Sequence, residues 1–175
     1  LVVDRWFTGR LLVVLAILFY IFFSAYKLLL IRLSADRGAQ IRVSPEDIAA
    51  LPDDELPPYT VLVPMYKEPE TVPHLVKSLA ALDYPPEKLD IQLLLEEDDQ
   101  PTRAAVDAID ELPPQFRVTL TPPSQPRTKP KACNLGLHLA TGEYLVIYDA
   151  EDRPDPDQLK KAVAGFRRCG PAIAC

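Results

Sequence analysis

The feature that most constrains the fold of this chain is a regular alternation of short apolar runs with amphipathic segments from Tyr59 onward. The apolar runs, at residues 60–64, 90–95, 116–120 and 143–149, have the length and the branched apolar content of buried strands. Strands that alternate with helices at this spacing form βαβ units. The sequence therefore predicts an α/β fold with a mostly parallel sheet.

The amphipathic segments predict the helices that connect these strands. Apolar residues recur at helical spacing in residues 71–82, 102–112 and 131–140. A last helix is predicted to begin with Asp155 as its cap and Pro156 as its first residue, because both residue types favour those positions.

A separate apolar run precedes this domain. It extends from Leu11 to Tyr26 without a charge and reaches Ile31 past a single Lys27. Crossing a bilayer takes about 20 mostly apolar residues, so the run predicts a transmembrane helix. A signal peptide is the alternative, but its apolar core is typically shorter, and the Ser-Ala-Asp at residues 34–36 is a poor cleavage site.

These patterns predict a flank at residues 1–10, a membrane helix at 11–33, a linker at 34–58 and a domain at 59–175. Basic residues are slightly more frequent after the apolar run than before it, which favours a cytoplasmic domain. The three cysteines lack CxxC spacing and predict no zinc site and no disulfide framework, as is usual in a reducing compartment. The net charge of −6 argues against a nucleic-acid partner.

Polar residues follow three of the predicted strands at the point where each ends. They are Pro64-Met-Tyr66-Lys67-Glu68, then residues 96–99 (Glu-Glu-Asp-Asp), then Asp149-Ala-Glu151-Asp152. Because the carboxyl ends of parallel strands meet at one edge of a sheet, these acids are expected to share a crevice. Carboxylates repel one another unless a cation or hydrogen-bond donors compensate them. The pattern therefore predicts a divalent cation, Mg²⁺ or Mn²⁺, or a ligand that offers N–H or hydroxyl groups.

Each of these elements also has a purely structural interpretation. Residues 96–99 alone are typical of a solvated turn, and Lys129 and Lys131 alone are typical of surface lysines. His74 and His138 have no evident partner in the sequence. The order and the strand-end placement of the motifs together favour a binding site.

With the segment Lys131-Ala-Cys-Asn134-Leu-Gly136 added, this series of motifs resembles the family 2 glycosyltransferases. The resemblance runs from about Tyr59 to the end of the chain and is nearest in character to the membrane-bound branch of cellulose, chitin and hyaluronan synthases. It implies a Rossmann-like GT-A fold, a nucleotide-sugar donor that is usually UDP-linked, and a divalent metal.

The resemblance also implies roles for particular residues. Tyr66 and Glu68 would line the nucleoside pocket, and Glu97 or a neighbouring acid would accept a hydrogen bond from the uracil N–H. Lys131 and Asn134 would border the donor, and Gly136 would allow close packing of helix and sheet. The donor-binding residues implied are Pro64, Tyr66, Glu68, Glu97, Asp98, Lys131, Asn134 and Asp149, and the metal ligands implied are Asp149, Glu151 and Asp152.

The chain departs from the family pattern in two motifs. Residues 96–99 stand where the family usually has Asp-Asp-Gly or Asp-Asp-Ser, so the register of the uracil contact is open. The metal motif is Asp-x-Glu, which leaves either Glu151 or Asp152 to serve the metal. We expect the chain to be part of a longer protein, with the catalytic base and the Gln-x-x-Arg-Trp segment of processive enzymes beyond Cys175, and we expect residues 1–175 alone to be inactive.

Three classes of function remain open on the sequence. The first is an inverting, metal-dependent glycosyltransferase (hexosyltransferase type) in the membrane that builds a polysaccharide or glycolipid. The second is a sugar nucleotidyltransferase, although the loop after the first strand lacks the expected glycines. The third is a non-catalytic membrane-anchored module that binds a nucleotide-sugar. The identities of the sugar and acceptor, processivity, the number of membrane helices and the oligomeric state are not determined by the sequence.

Overall fold

The structure, a computed structural model, describes residues 5–35, 41–123 and 128–169, and the chain divides into two compact units, Leu1–Arg42 and Val43–Cys175. The first unit contains helix α1 (Arg5–Ser34). From Trp6 to Ser34 this helix has a mean hydropathy of 2.3 and is long and apolar enough to cross a membrane. Its large apolar side chains are exposed within the unit, as expected if lipid or another apolar surface covers them.

The second unit is built on a parallel sheet whose strand order is β3-β2-β1-β4. In the central pairings Val61 lies opposite both Ile91 and Val146. The predicted parallel α/β sheet is therefore confirmed. The strands are β1 (Tyr59–Met65), β2 (Leu89–Glu96), β3 (Phe116–Thr121) and β4 (Tyr144–Ile147).

Helices flank both faces of this sheet. They are α2 (Pro45–Ala49), α3 (Val72–Ala80), α4 (Gln100–Asp107), α5 (Lys129–Leu139) and α6 (Gln158–Cys169).

Several helix boundaries differ from the prediction, and two of these differences have a structural reason. Helix α4 ends at Asp107 rather than at residue 112, yet Ile109 and Leu112 still pack on the core from irregular backbone. Apolar residues at helical spacing can thus be buried without a helix. Helix α6 begins at Gln158 because Asp155 and Pro156 form a preceding turn, in which the Gln158 N–H donates to the Asp155 carbonyl at 3.0 Å.

The core lies on both sides of the sheet because residues alternate across each strand. Val61, Val63 and Leu93 are fully buried on one face, where α3, α4 and α6 cover them. Leu62 and Leu94 face the other way and pack with Ala132 of α5. Each large apolar side chain contributes about 1.5–3 kcal/mol when removed from water, so burial on both faces of the sheet stabilises the unit.

Gly136 lets α5 lie close to the sheet, as the family resemblance implies. A Cβ atom at this position would be 2.9 Å from Leu62 Cδ2 and 3.0 Å from Leu94 Cδ1. The close approach places the first turn of α5 beside the strand ends.

The segment predicted as a linker packs on the domain from Val43 onward. Lys160, nearly buried on α6, contacts Asp53 at 3.1 Å and Asp83 at 2.9 Å. Arg168, near the end of α6, pairs with Asp47 of the same segment. Three carbonyl oxygens between residues 53 and 56 also accept hydrogen bonds from Lys88 Nζ. The residues before β1 are therefore held by charge pairs that no local sequence pattern predicts.

At the amino end of the sheet, Asp90 joins three strands to the turn that leads into β4. Its carboxylate accepts a hydrogen bond from Thr60 Oγ1 at 3.0 Å and pairs with Arg117 Nε at 2.8 Å. The Thr141 hydroxyl donates to the same carboxylate at 3.2 Å, and the Gly142 N–H donates to Thr60 Oγ1 at 2.8 Å. This network sets the position of the turn between α5 and β4.

Gly142→Ala should destabilise the second unit by about 3 kcal/mol, the upper range for an overpacked site. A Cβ atom there would be 2.4 Å from the backbone nitrogen of Thr60, which cannot move without displacing β1. Gly136→Ala is the matched control, since it meets only the ends of leucine side chains and gains about 1 kcal/mol of helix propensity. Thermal unfolding of the full-length variants, followed by circular dichroism, should show a clearly larger loss for Gly142→Ala; equal losses would contradict the close packing inferred for this turn.

Candidate active site

A cavity of about 560 Å³ opens at the carboxyl edge of the sheet. The end of β1 and the loop after it contribute one wall, and the end of β2, the first turn of α5 and the segment after β4 contribute the others. The lining residues are Pro64, Met65, Tyr66, Glu68 and Thr71, with Glu96, then Thr128, Lys129 and Ala132, and Asp149, Ala150 and Glu151. Three of the predicted acidic or polar strand ends therefore meet in one crevice.

The loop after β1 is held in an unusual conformation by Asp99. Lys67 has a positive φ of 58°. This conformation costs a non-glycine residue free energy, which contacts with its surroundings must offset. The Lys67 N–H donates to Asp99 Oδ2 at 2.5 Å, and the Glu68 N–H donates to Thr102 Oγ1 at 3.0 Å. These bonds place the side chains of Tyr66 and Glu68 at the cavity.

Asp99 also begins α4, because its carboxylate accepts a hydrogen bond from the Thr102 N–H. Burial by itself would raise the pKa of Asp99, but the bonds from Lys67 and Thr102 outweigh it and lower that pKa below its ordinary value. The sequence pattern grouped Asp99 with a ligand-binding cluster. Its position just before Gln100-Pro101 is the pattern of a helix cap, and that pattern identifies its structural role.

The acids after β2 separate into buried and exposed residues. Glu96 is the last residue of β2, lines the cavity and is only 6% exposed. Glu97 and Asp98 are exposed and do not line the cavity, which differs from their predicted placement at the donor. Strand alternation explains the difference, since Glu96 shares the α5 face of the sheet with Leu94, and the chain turns outward after it.

The two lysines at the start of α5 reach different acids. Lys129 lines the cavity and pairs with Asp149 after β4. Lys131 is not among the lining residues, and its Nζ lies 3.5 Å from Glu96 Oε2 and 2.5 Å from the Pro122 carbonyl oxygen. The structure thus places Lys129 at the cavity, although the sequence alone favoured a surface lysine at this position. One feature of the sequence could have indicated this placement: Lys129 lies in the first turn of a helix that starts beside the strand ends.

Asn134, predicted to border the donor, is exposed on α5 and does not line the cavity. It follows the lining residue Ala132 by only two positions, so its side chain points to a different side of α5. Its carbonyl oxygen is 2.7 Å from His138 Nδ1.

The segment after β4 presents two carboxylates to the cavity. Asp149 and Glu151 line it, whereas an oxygen of Asp152 accepts a hydrogen bond from the Asp149 N–H at 2.7 Å. Asp152 instead lines a neighbouring cavity of about 520 Å³, together with His74 and Arg153. Of the three predicted metal ligands, the structure brings Asp149 and Glu151 to the site and turns Asp152 back onto its own loop.

The donor set fits a cation that is shared with a ligand. Within the described parts of the chain, no group of three or more His, Cys, Asp or Glu side chains could enclose a metal. Mg²⁺ is commonly held by one or two carboxylates while substrate phosphates and water complete its coordination. Asp149 and Glu151 satisfy that requirement.

The electrostatics of Glu68 show that the acids affect one another. Burial raises the pKa of the Glu68 carboxyl above its ordinary value, and the charges of Glu151 and Asp99 raise it further, while Lys129 opposes them. The carboxylates of three different strand ends therefore lie within Coulombic range, and the cavity favours a ligand that brings positive charge.

Comparison with known proteins agrees with this architecture. Residues 60–175 match the family described as Glycosyl transferase family 2. "Probable glycosyltransferase YdaM" of Bacillus subtilis (strain 168) is 28% identical over 113 residues, which are 64% of this chain and 27% of that protein. The chain thus spans well under half the length of this curated relative.

The structure of the mannosyltransferase PcManGT from Pyrobaculum calidifontis, in complex with GDP-Man and Mn²⁺, is 31% identical to this chain with a TM-score of 0.55. The similarity covers 68% of this chain and 36% of that one. It supports the assignment of the parallel sheet and its helices to a Rossmann-like GT-A fold.

Replacing Asp99 with Asn should lower stability at pH 7 by about 1.5–3 kcal/mol, the range for hydrogen bonds to a charged group. The folded-state pKa of Asp99 is lowered, so its contribution is present above the unfolded pKa of about 3.9 and is lost as the pH falls through the folded value. The stability gap between wild type and Asp99→Asn should therefore close on acidification. Unfolding at several pH values tests this, with the exposed Asp107→Asn as control; a gap that stays constant to low pH would contradict it.

Replacing Glu68 with Gln should raise stability at pH 7, the opposite of the effect expected for Asp99→Asn. The raised folded-state pKa means that the folded protein loses stability as the pH rises above about 4.3, the usual unfolded value for Glu. At pH 7 the Gln variant should melt about 2 °C higher than wild type, and the two should coincide below pH 4. Glu70→Gln, at an exposed position, should not change the melting temperature at either pH, and no gain for Glu68→Gln at pH 7 would count against mutual repulsion in the cavity.

Proposed function

The chain belongs to glycosyl transferase family 2, and on that premise we propose that it binds the donor in an inverting, metal-dependent glycosyltransferase. The donor is a nucleotide-sugar, UDP-linked as the family resemblance implies, and the sugar is a hexose. The acceptor is a polysaccharide or glycolipid. The single observation that carries this proposal is the cavity in which Glu68, Glu96, Asp149 and Glu151 converge from three strand ends beside Lys129.

The arrangement of charge across this cavity suggests how the donor lies. β2 and β4 are the two neighbours of β1, so the cavity extends across roughly 10 Å of sheet edge, about twice the strand spacing. At the β2 end, the buried Glu96 offers acceptor oxygens to a base N–H. At the β4 end, Lys129 and the positive end of the α5 dipole offer compensation to a diphosphate. Tyr66 and Glu68 lie on the wall between them.

Asp149 and Glu151 would hold the divalent cation, Mg²⁺ or Mn²⁺. When bound, the cation would offset the negative charge that develops on the departing nucleoside diphosphate. The mannosyltransferase from Pyrobaculum calidifontis was solved with GDP-Man and Mn²⁺, and its likeness to this chain supports the choice of cation. Inversion further requires a base that deprotonates the acceptor hydroxyl on the face opposite the diphosphate.

Helix α1 is proposed to anchor the protein in the inner or plasma membrane, with the catalytic domain on the cytoplasmic side. Its length and mean hydropathy of 2.3 support this location. A membrane position would place the site near a lipid-linked or exported acceptor.

Asp149→Asn in the full-length protein should reduce sugar transfer by about 100-fold or more, because a carboxylate that holds the metal contributes several kcal/mol to stabilising the leaving group. Transfer of labelled sugar from UDP- and GDP-linked donors measures activity, and calorimetry with Mn²⁺ and UDP measures binding. Asp155→Asn, at an exposed position after the same strand, is the control and should retain activity.

A non-catalytic module would give a different result in the same experiment. Wild-type protein would bind UDP with Mn²⁺ but transfer no sugar, and Asp149→Asn would then affect binding alone. Full transfer activity in Asp149→Asn would refute the proposed metal site.

A further inference from the structure

A second cavity adjoins the candidate active site. It has a volume of about 520 Å³ and lies between the start of α3 and the segment after β4. This volume is within the roughly 300–1,000 Å³ of small-molecule sites. Thr71, Ala150 and Glu151 line both cavities, so a ligand in one lies beside a ligand in the other. The residues that line the second cavity alone are Glu70, His74, Leu75, Asp152 and Arg153.

Both walls of the second cavity are held in place by hydrogen bonds. The Thr71 hydroxyl donates to the Glu68 carbonyl oxygen at 2.8 Å, and the Leu75 N–H donates to the Thr71 carbonyl oxygen at 2.9 Å. On the other wall, the Asp152 N–H donates to the Asp149 carbonyl oxygen at 3.0 Å, and the Asp149 N–H donates to an Asp152 carboxylate oxygen at 2.7 Å. The shape of the cavity is therefore set by contacts within the protein.

The floor of the second cavity combines apolar surface with a buried hydroxyl nearby. Leu75 and Ala150 line it and belong to the buried core. Tyr148 is 6% exposed, and its hydroxyl has no hydrogen-bond partner among the described residues. Burial and the charge of Asp152 raise the pKa of Tyr148 to about 12, so this hydroxyl lies within Coulombic range of a residue of the cavity wall. A buried hydroxyl without a partner costs free energy, which favours a ligand that offers hydrogen bonds.

The charges around the second cavity argue against two classes of ligand. The carboxylates of Glu70, Glu151 and Asp152 outnumber the two basic side chains and so disfavour a phosphate or another anion. A metal ion is disfavoured as well, because the described parts of the chain contain no group of three or more His, Cys, Asp or Glu side chains that could hold one. The lining therefore favours a neutral ligand that both donates and accepts hydrogen bonds.

A carbohydrate meets these requirements. Each hydroxyl group of a sugar both donates and accepts hydrogen bonds, and the C–H groups of the ring can contact apolar side chains such as Leu75. Carboxylates accept hydrogen bonds from hydroxyl groups, and the guanidinium of Arg153 donates them. Within the parts of the chain that the structure describes, Arg153 forms no ion pair with Glu70 or Asp152, so these groups keep their capacity to bind a ligand.

We propose that the second cavity binds a sugar unit of the acceptor, with His74 and Arg153 as binding residues, and that acceptor and donor meet at the wall formed by Glu151. This inference rests on the proposed glycosyltransferase function. The segment after β4 then serves both substrates, because Asp149 lines the first cavity and Arg153, four residues later, lines the second.

The test measures disaccharide binding to the full-length protein that is saturated with Mn²⁺ and with UDP or GDP, whichever binds. Calorimetry with the β-linked disaccharides of glucose, N-acetylglucosamine and mannose should show saturable binding of at least one. Arg153→Ala should weaken that binding about tenfold, as expected for hydrogen bonds from a charged group, and His74→Ala about threefold. Both variants should bind the nucleotide within about twofold of wild type.

Lys77→Ala is the matched control for His74→Ala. Lys77 is exposed on the same helix and lines neither cavity, so its replacement should change neither disaccharide nor nucleotide binding. Arg153→Gln is the second variant if Arg153→Ala does not fold. A folded Arg153 variant that binds the disaccharide within about twofold of wild type would overturn the inference. If that variant also has a lower melting temperature, another segment of the protein fills the cavity.

Wild-type binding separates this inference from the proposed function. If wild type binds a nucleotide with Mn²⁺ but none of the three disaccharides, the second cavity is not an acceptor site and the proposed function stands. If wild type binds neither UDP nor GDP, the proposed function fails and the inference fails with it.

Discussion

The parallel pairing of β1 with both β2 and β4 is the constraint on which the rest of the domain depends. It places three strand ends at one edge, within about 10 Å of each other, and so gathers Glu68, Glu96 and Asp149 around one cavity. An antiparallel β4 would send Asp149 to the opposite edge and leave the other acids solvated. The apolar residues that stabilise the sheet therefore also create a concentration of negative charge.

The fold compensates each of these acids differently. Asp99 is bound by backbone N–H groups of the β1 loop and of α4, which lowers its pKa after the opposing effect of burial is overcome. Glu96 and Asp149 each receive a lysine from the first turn of α5. Glu68 has the least compensation, and burial with two neighbouring negative charges raises its pKa. Glu68 and Glu151 therefore lie near one another with less compensating positive charge than Glu96 and Asp149 have.

Structure far from the cavity supports this arrangement. At the opposite end of the sheet, Asp90 contacts Thr60, Arg117 and the turn after α5. The position of α5 is therefore set at its last turn as well as at its first. The close approach of Gly136 to Leu62 and Leu94 sets the distance between that helix and the sheet. The two lysines reach their acids because both of these contacts hold the helix.

Sequence by itself determined the order of strands and helices along the chain, the apolar helix and the chemical character of the strand ends. Alternating apolar runs are a local property, and short-range periodicity is enough to identify them. The same reasoning placed Tyr66, Glu68 and Asp149 at the site, because each directly follows a strand and the edge of a parallel sheet is shared by all its strand ends.

Only the tertiary structure decided which of the adjacent charges face inward. Glu96 lines the cavity and Glu97 does not, because successive residues of a strand point to opposite faces. Lys129 lines the cavity and Lys131 contacts Glu96 instead, because residues two apart on a helix point to different sides. Asp152 was removed from the cavity by a bond to the backbone of Asp149. Which side chain faces the cavity depends on contacts between residues distant in the chain. A local sequence pattern does not contain the energies of those contacts. The sequence therefore indicates the composition of the site, and the packing of α5 on the parallel sheet determines its geometry.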